Sequence, residues 1–139
     1  MATLIAAERP NLTGAWLWNP AKSEPHSAKF AGLTWVIDQK EATLHVSETE
    51  RRADGKEIKT DFDCTTDGKE CSIYTKGEPT SVSFWYNGPA LVELVSKGHN
   101  RETVIKKRMR LSDDGKFMNV EFIPMVGSEQ PGKLVFEKQ

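Results

Sequence analysis

Apolar and polar residues alternate along most of the chain in short runs, and most runs end at a turn signal. Asp-Gly or Asn-Gly dipeptides begin at Asp54, Asp67, Asn87 and Asp114, and glycine there supplies the positive φ that tight hairpins need. An alternation of period two is typical of strands, and no window keeps helical apolar spacing for three turns. The pattern predicts strands at Thr13–Trp18, Leu33–Gln39, Thr43–Glu48, Glu57–Cys64, Lys69–Tyr74, Ser81–Asn87, Ala90–Ser96, Glu102–Ser112, Lys116–Ile123 and Lys133–Lys138.

A series of short strands without helices restricts the fold class. One flat sheet of this size would leave long edges and an uncovered apolar face, so we expect it to close on itself. Consecutive hairpins favour an all-β, up-and-down antiparallel barrel of about 8–10 strands. The barrel would form a single domain over residues 1–139, with residues 1–10 as an extended or disordered tail. A two-sheet sandwich is the structural alternative.

Two segments interrupt the regular spacing, a long loop after the first strand at residues 19–32 and a second at residues 124–132. Because successive strands reverse direction, both loops are expected at one end of the barrel, opposite the tight turns. Longer loops gathered at one end are typical of a ligand entrance. Phe30 is the only large apolar side chain between Asn19 and Gly32, and we predict that it plugs this entrance.

Strand alternation predicts which side chains face inward. In Glu57–Cys64, Ile58 and Phe62 share one face, while Lys59 and Asp61 share the other. Applied to every strand, the same test gives an inward set rich in aromatic residues and methionine, which line cavities well but equally fill a packed core. The predicted ligand-binding residues are Trp18, Phe30, Trp35, Phe62, Phe84, Tyr86, Met109, Met118 and Phe122.

A few polar side chains accompany this apolar set. Tyr86 and Lys107 are predicted to point inward, whereas both faces of Ala90–Ser96 are apolar enough to leave the orientation of Glu93 open. A carboxylate or ammonium inside an apolar barrel has an altered pKa and could act as a general acid or base. Glu93, Tyr86 and Lys107 are therefore candidate catalytic residues. Alternatively, Glu93 and Lys107 form a buried ion pair in which the two charges only neutralise each other.

The composition and the sequence motifs argue against several classes of function. The chain has 19 Lys and Arg against 20 Asp and Glu, which disfavours a nucleic-acid-binding protein. No apolar run approaches the roughly 18 residues of a membrane span. Glycine-rich phosphate loops and nucleophile elbows are absent, and the three histidines are scattered, so no metal or cofactor is expected. The expected partner is a small hydrophobic molecule, bound by a monomer or homodimer.

The two cysteines, Cys64 and Cys71, flank the Asp67-Gly68 turn symmetrically. If these two residues form a hairpin loop, the cysteines face each other on neighbouring strands within disulfide range. A disulfide would indicate a periplasmic or secreted protein. The alternative is a pair of reduced thiols in the cytoplasm.

A family resemblance supports the barrel. Gly14-Ala15-Trp16 on the first strand, followed by a long loop, resembles the lipocalin signature at the closed base of the barrel. This resemblance implies structural roles for Gly14 and Trp16, with Arg110 or Arg108 stacked on the tryptophan ring. The wider pattern resembles small bacterial lipocalin-like, calycin-type proteins, mostly without assigned activity, through Leu12–Trp16, Asn19–Ser23, Thr66–Lys69, Leu111–Lys116 and Val135–Gln139.

Three functional hypotheses follow. The first is an open barrel that binds a small hydrophobic or amphipathic molecule. The second is a cofactor-independent isomerase, hydratase or cyclase that uses the inward polar residues on a hydrophobic substrate. The third is a solidly packed barrel whose loops bind another protein.

Overall fold

A computed structural model describes residues 9–23, 30–75, 78–98, 100, 102–127 and 130–139, with the backbone alone described for residues 30, 74 and 75. All ten predicted strands are present; six are longer than the alternation indicated, by one to four residues, and three are one residue shorter. Their bounds are β1 Gly14–Trp18, β2 Phe30–Lys40, β3 Thr43–Arg52, β4 Glu57–Thr65, β5 Cys71–Thr75, β6 Glu78–Asn87, β7 Ala90–Lys97, β8 Glu102–Leu111, β9 Phe117–Pro124 and β10 Gly132–Lys138.

The strands form one antiparallel sheet that curls into a nearly closed barrel. The hydrogen-bonded order is β4-β3-β2-β1-β10-β9-β8-β7-β6-β5, so the first strand pairs with the last. The up-and-down topology is thus confirmed and the sandwich is excluded. No helix among the described residues is long and apolar enough to cross a membrane.

Strands β4 and β5 lie side by side at the two ends of the sheet, but no ladder of hydrogen bonds joins them. We call this boundary the seam. A disulfide between Cys64 on β4 and Cys71 on β5 crosses the seam near the base, with a Cα–Cα distance of 5.6 Å. The disulfide was predicted correctly.

The disulfide was inferred from a predicted hairpin, and that hairpin prediction is wrong. Asp67 and Gly68 are not a two-residue turn between paired strands, because this segment bonds to β6 instead. The Gly68 amide donates to the Phe84 carbonyl at 2.8 Å, and Asp67 forms a β-bridge with Trp85. The predicted strand Lys69–Tyr74 accordingly begins two residues later, at Cys71.

The inward faces build the core largely as the alternation predicted. Trp35 on β2 stacks on Phe136 of β10 with ring centroids 4.1 Å apart, and Phe62 on β4 stacks on Phe84 of β6 at 6.3 Å, across the seam. The largest fully buried side chains include Trp16, Phe136, Leu12, Leu44, Leu91 and Met118.

The base of the barrel is closed by the segment before β1. Leu12 is fully buried, and its carbonyl accepts a hydrogen bond from Trp16 Nε1 at 2.9 Å. Gly14 has φ +150°, a conformation that other residues rarely adopt, and a Cβ atom there would lie 3.1 Å from the Lys138 side chain.

The cation above Trp16 differs from the one that the resemblance implied. Lys138 Nζ lies 5.8 Å from the centroid of the Trp16 ring, whereas Arg110 is exposed. The reason is topological. Trp16 and Lys138 are directly paired on β1 and β10, while Arg110 follows Met109 on β8 and therefore points outward.

The opposite end of the barrel carries the loops after β1, β3, β5, β7 and β9. Met125 and Val126, in the loop after β9, are 52% and 41% exposed. The two long loops therefore lie at the same end, as the alternation of strand directions predicted, and we call this end the mouth. The long loop after β1 falls partly outside the described residues, which exclude residues 24–29.

Candidate functional site

The barrel encloses a cavity of about 390 Å³, counting the part that is continuous with solvent. The space inside it that water-sized molecules can reach is only about 30 Å³, well below the roughly 300–1,000 Å³ that is usual for small-molecule sites. The cavity is narrow, and the opposing walls leave room for little more than water at its centre. Its lining consists of Leu12, Trp35, Ile37, Leu44, Val46, Glu48, Phe62, Phe84, Leu91, Glu93 and Met109.

Two charged residues face each other inside the barrel wall. Glu93 on β7 and Lys107 on β8 are directly paired, and Lys107 Nζ lies 3.4 Å from Glu93 Oε1. Their side chains are only 10% and 13% exposed. The orientation that the sequence left open is decided by this register, which places Leu91 and Glu93 together on the cavity wall.

The surroundings of Lys107 keep its ammonium charged. Burial by itself lowers the pKa of Lys107, but the nearby carboxylates of Glu93, Glu48 and Glu50 outweigh that effect and raise the pKa above its usual value of 10.5. The ammonium also lies 5.4 Å from the centroid of the Trp35 ring. The polar part of the cavity therefore combines carboxylates with one ammonium that is already paired.

Trp35 contributes a second polar feature. Its side chain is 4% exposed, and its indole Nε1 has no hydrogen-bond partner among the described residues. Buried N–H groups are normally paired, so this unpaired indole N–H is an exception within the core.

Tyr86 lies near the base rather than with Glu93 and Lys107. Its hydroxyl donates to the Pro10 carbonyl at 3.0 Å and accepts a short hydrogen bond from Gln39 Nε2. Gln39 in turn accepts from the Leu12 amide at 2.9 Å. Tyr86 thus anchors the segment that closes the barrel, and the structure brings only Glu93 and Lys107 of the three candidate catalytic residues together. Acid–base catalysis stays a prediction.

The predicted ligand-binding residues fall into three groups. Trp35, Phe62, Phe84 and Met109 line the cavity, and Met118 is fully buried in the core outside that lining. Trp18, Tyr86 and Phe122 are partly buried and are absent from the cavity lining. The side chain of Phe30 lies outside the described residues.

Some lining residues were absent from the predicted binding set. Glu48 lies two positions after the inward Val46, so strand alternation alone would have placed it on the cavity wall. Leu12 precedes the first strand, and no periodic pattern identifies it. Its position follows only from the way residues 10–13 fold across the base.

The comparisons with known proteins concern the fold. No protein-family model matches the sequence, and no curated protein matches it closely enough to carry an argument. A fatty acid transporter named REP1-NXSQ shares the structure with a TM-score of 0.65 and 12% identity, over 92% of this chain and 96% of that one.

Two further solved structures have the same architecture. The apo lipid binding protein 8 of Caenorhabditis elegans has a TM-score of 0.64 and 12% identity, over 92% of this chain and 95% of its own. The zebrafish ileal bile acid-binding protein, complexed with cholic acid, has a TM-score of 0.62 and 12% identity, over 92% of this chain and 98% of its own. The chain therefore has the fold of lipocalin- and calycin-like binding barrels.

Proposed function

We propose that this protein binds a small hydrophobic or amphipathic molecule inside its barrel. The observation that carries the proposal is the cavity itself, whose wall is mostly apolar and includes the aromatic side chains of Trp35, Phe62 and Phe84. Convergent polar groups on an otherwise apolar wall are the usual composition of a ligand site. The three similar structures, described as a fatty acid transporter, a lipid binding protein and a bile acid-binding protein, support the same class of ligand.

Seating a ligand in so narrow a cavity requires the wall to move. The seam between β4 and β5 has no ladder of hydrogen bonds, so strand β4 can shift outward without breaking a sheet pairing on that side. Phe62 lies on β4, and its ring contacts Phe84 across the seam. We infer that rearrangement of this aromatic pair makes room for the ligand.

The test uses an uncharged apolar fluorescent probe, Nile red, and two tryptophan substitutions of equal size. Val46 lines the cavity and is 9% exposed, whereas Val36 on β2 points outward and is 48% exposed. We expect Val46→Trp to fill the cavity and weaken saturable probe binding at least about tenfold, and Val36→Trp to bind like wild type.

Circular dichroism and melting temperature verify that both variants fold, because overpacking costs about 1–3 kcal/mol. Absence of saturable binding to wild type, with Nile red and with a panel of lipids, would contradict the proposed function. Equal binding by the two folded variants would place the probe outside the barrel.

We also propose that the protein belongs to the small bacterial lipocalin-like group and works in the periplasm or outside the cell. The Cys64–Cys71 disulfide supports an oxidising compartment. Alkylation of unfolded, unreduced protein from its native source should find no free thiol, and two free thiols would argue against export. For the oligomeric state we propose a monomer or homodimer, to be measured by light scattering.

A further inference from the structure

The seam between β4 and β5 is crossed by a covalent bond where other neighbouring strands have a ladder. The Cys64–Cys71 disulfide holds the two strands at a Cα–Cα distance of 5.6 Å, and no ladder of hydrogen bonds joins the described residues of β4 to those of β5. The sequence separation of the two cysteines is 7, which is chain enough for a wider separation. The disulfide therefore limits how far the seam can open.

The seam also forms part of the cavity wall. Phe62 on β4 and Phe84 on β6 both line the cavity, and their ring centroids are 6.3 Å apart. Cys64 occupies the next inward position after Phe62 on the same strand and is 4% exposed. Because the two side chains share one strand face, movement of β4 away from β5 would carry the Phe62 ring away from Phe84 and widen the narrow cavity.

The segment between the two strands is attached to the barrel independently of the disulfide. The Thr66 amide donates to the Ala42 carbonyl at 2.9 Å, and the Gly68 amide donates to the Phe84 carbonyl at 2.8 Å. These backbone bonds do not involve the cysteines, so they can hold the base together when the disulfide is broken. Opening would then be hinged at the base and widest toward the mouth.

The disulfide is placed where a reductant can reach it. Cys64 is buried, but Cys71 is only partly buried at the first position of β5. Residues 67–70 before it and Ser72 after it are exposed. Thiol–disulfide exchange requires access to a sulfur atom, so a reductant is expected to attack Cys71 Sγ rather than Cys64 Sγ.

We propose that the Cys64–Cys71 disulfide is a redox-controlled clasp on a side entrance to the cavity, closed when oxidised and opened by a dithiol. This inference rests on the proposed function, since it concerns the route by which a ligand enters and leaves the barrel. In an oxidising compartment the clasp stays closed and ligand exchange is slow. Contact with a dithiol opens the seam and makes exchange fast.

The chemical step is a two-electron reduction. A thiolate of the dithiol attacks Cys71 Sγ, the bond between the two Sγ atoms breaks, and Cys64 leaves as a thiolate that takes up a proton. The second thiol of the reductant then attacks the mixed disulfide and releases Cys71 as a thiol. The reductant ends as a cyclic disulfide, and its two protons end on the two cysteines.

The experiment measures the association and dissociation rates of Nile red with oxidised protein and with protein reduced by dithiothreitol. We expect reduction to raise both rates at least about tenfold, since a factor of ten corresponds to about 1.4 kcal/mol, roughly half of what closing so short a loop contributes. Reoxidation should restore the slow rates. Saturable binding with equal rates in both forms would overturn the inference and leave the proposed function intact.

Two variants separate the clasp from other effects of reduction. The double variant Cys64→Ser, Cys71→Ser should exchange Nile red as fast as reduced wild type without any dithiothreitol. Val120→Ala is the matched control, because Val120 on β9 is 1% exposed and lies outside the cavity lining, so its truncation destabilises the barrel away from the seam. Equally fast exchange in oxidised Val120→Ala would assign the effect to lost stability and overturn the inference.

A measurement without ligand tests the seam itself. Nuclear Overhauser contacts between the Phe62 and Phe84 rings should weaken when folded protein is reduced, with two free thiols verified by alkylation. Unchanged ring contacts after reduction, or a disulfide that dithiothreitol cannot reduce in the folded protein, would overturn the clasp. If neither Nile red nor a panel of lipids binds either form, the proposed function fails, and the ring contacts still decide whether the seam opens.

Discussion

At the scale of single residues, charged side chains are placed by the register of paired strands. Outside the barrel, His45 on β3 lies between two carboxylates of β4, with Nε2 2.7 Å from Asp61 and Nδ1 2.6 Å from Asp63. Both ring nitrogens can donate to carboxylates only when the imidazole is protonated. Inside the barrel, Glu93 and Lys107 form the corresponding cross-strand pair.

The His45 contacts predict a pH-dependent contribution to stability. The hydrogen bond to Asp63 is the largest influence on the pKa of His45. Together with the charges of Asp61, Asp63 and Asp38 it outweighs desolvation, which lowers the pKa, and so raises the pKa above 6.5. A raised folded-state pKa means that the contribution is fully present below pH 6.5 and is lost as the pH rises through the folded-state pKa.

Thermal melts of wild type and His45→Gln from about pH 6 to about pH 9 measure this effect. The difference in melting temperature should be largest at the acidic end and shrink as the pH rises. A difference that stays constant across the range would rule out this ion pair as its source.

The Glu93–Lys107 pair predicts a large cost for removing one partner alone. Lys107→Met leaves the Glu93 carboxylate buried without its counterion and should lower the free energy of unfolding by about 3–5 kcal/mol. The double variant Glu93→Met, Lys107→Met removes both charges and should recover most of that loss. Chemical denaturation of the single and double variants measures the coupling, and additive losses would show that the two charges act independently.

At the scale of elements, the seam is the discontinuity of the sheet. Every other pair of neighbouring strands is joined by a ladder, whereas β4 and β5 are joined by the Cys64–Cys71 disulfide. Phe62 of β4 also stacks on Phe84 of β6. The outward charged residues of β4, such as Lys59, Asp61 and Asp63, also disfavour pairing of this edge with another chain.

Removal of the disulfide should therefore destabilise the barrel. Its sequence separation is 7, and closing so short a loop contributes about 2.5 kcal/mol in the chain-entropy model. We expect the double variant Cys64→Ser, Cys71→Ser to lose about that much in urea denaturation. Unchanged stability would mean that packing across the seam, including Phe62 against Phe84, holds the two edges without help.

The strand predictions succeeded where local chemistry decides and failed where long-range pairing decides. Turns such as Asp54-Gly55 and Asp114-Gly115 are readable because glycine there adopts positive φ. The start of β5 was misplaced because Asp67 and Gly68 pair with β6, a contact that no local pattern records. Strand alternation also fails at Val92. Its side chain points to the outer face of the barrel, where alternation predicts exposure, yet it is only 1% exposed.

At the scale of the whole molecule, the alternating pattern and the turn residues were sufficient to predict ten strands, an antiparallel barrel and a loop-bearing mouth, because period and turn chemistry are local properties of the chain. Only the tertiary structure decided that strands β4 and β5 are left without a ladder of hydrogen bonds, and that Leu12 closes the base. It also decided that Lys138 rather than Arg110 covers Trp16, and that Glu93 faces Lys107 within the wall. Each of these depends on which distant strands become neighbours and in what register, and that is set by the packing of the whole chain rather than by any one segment.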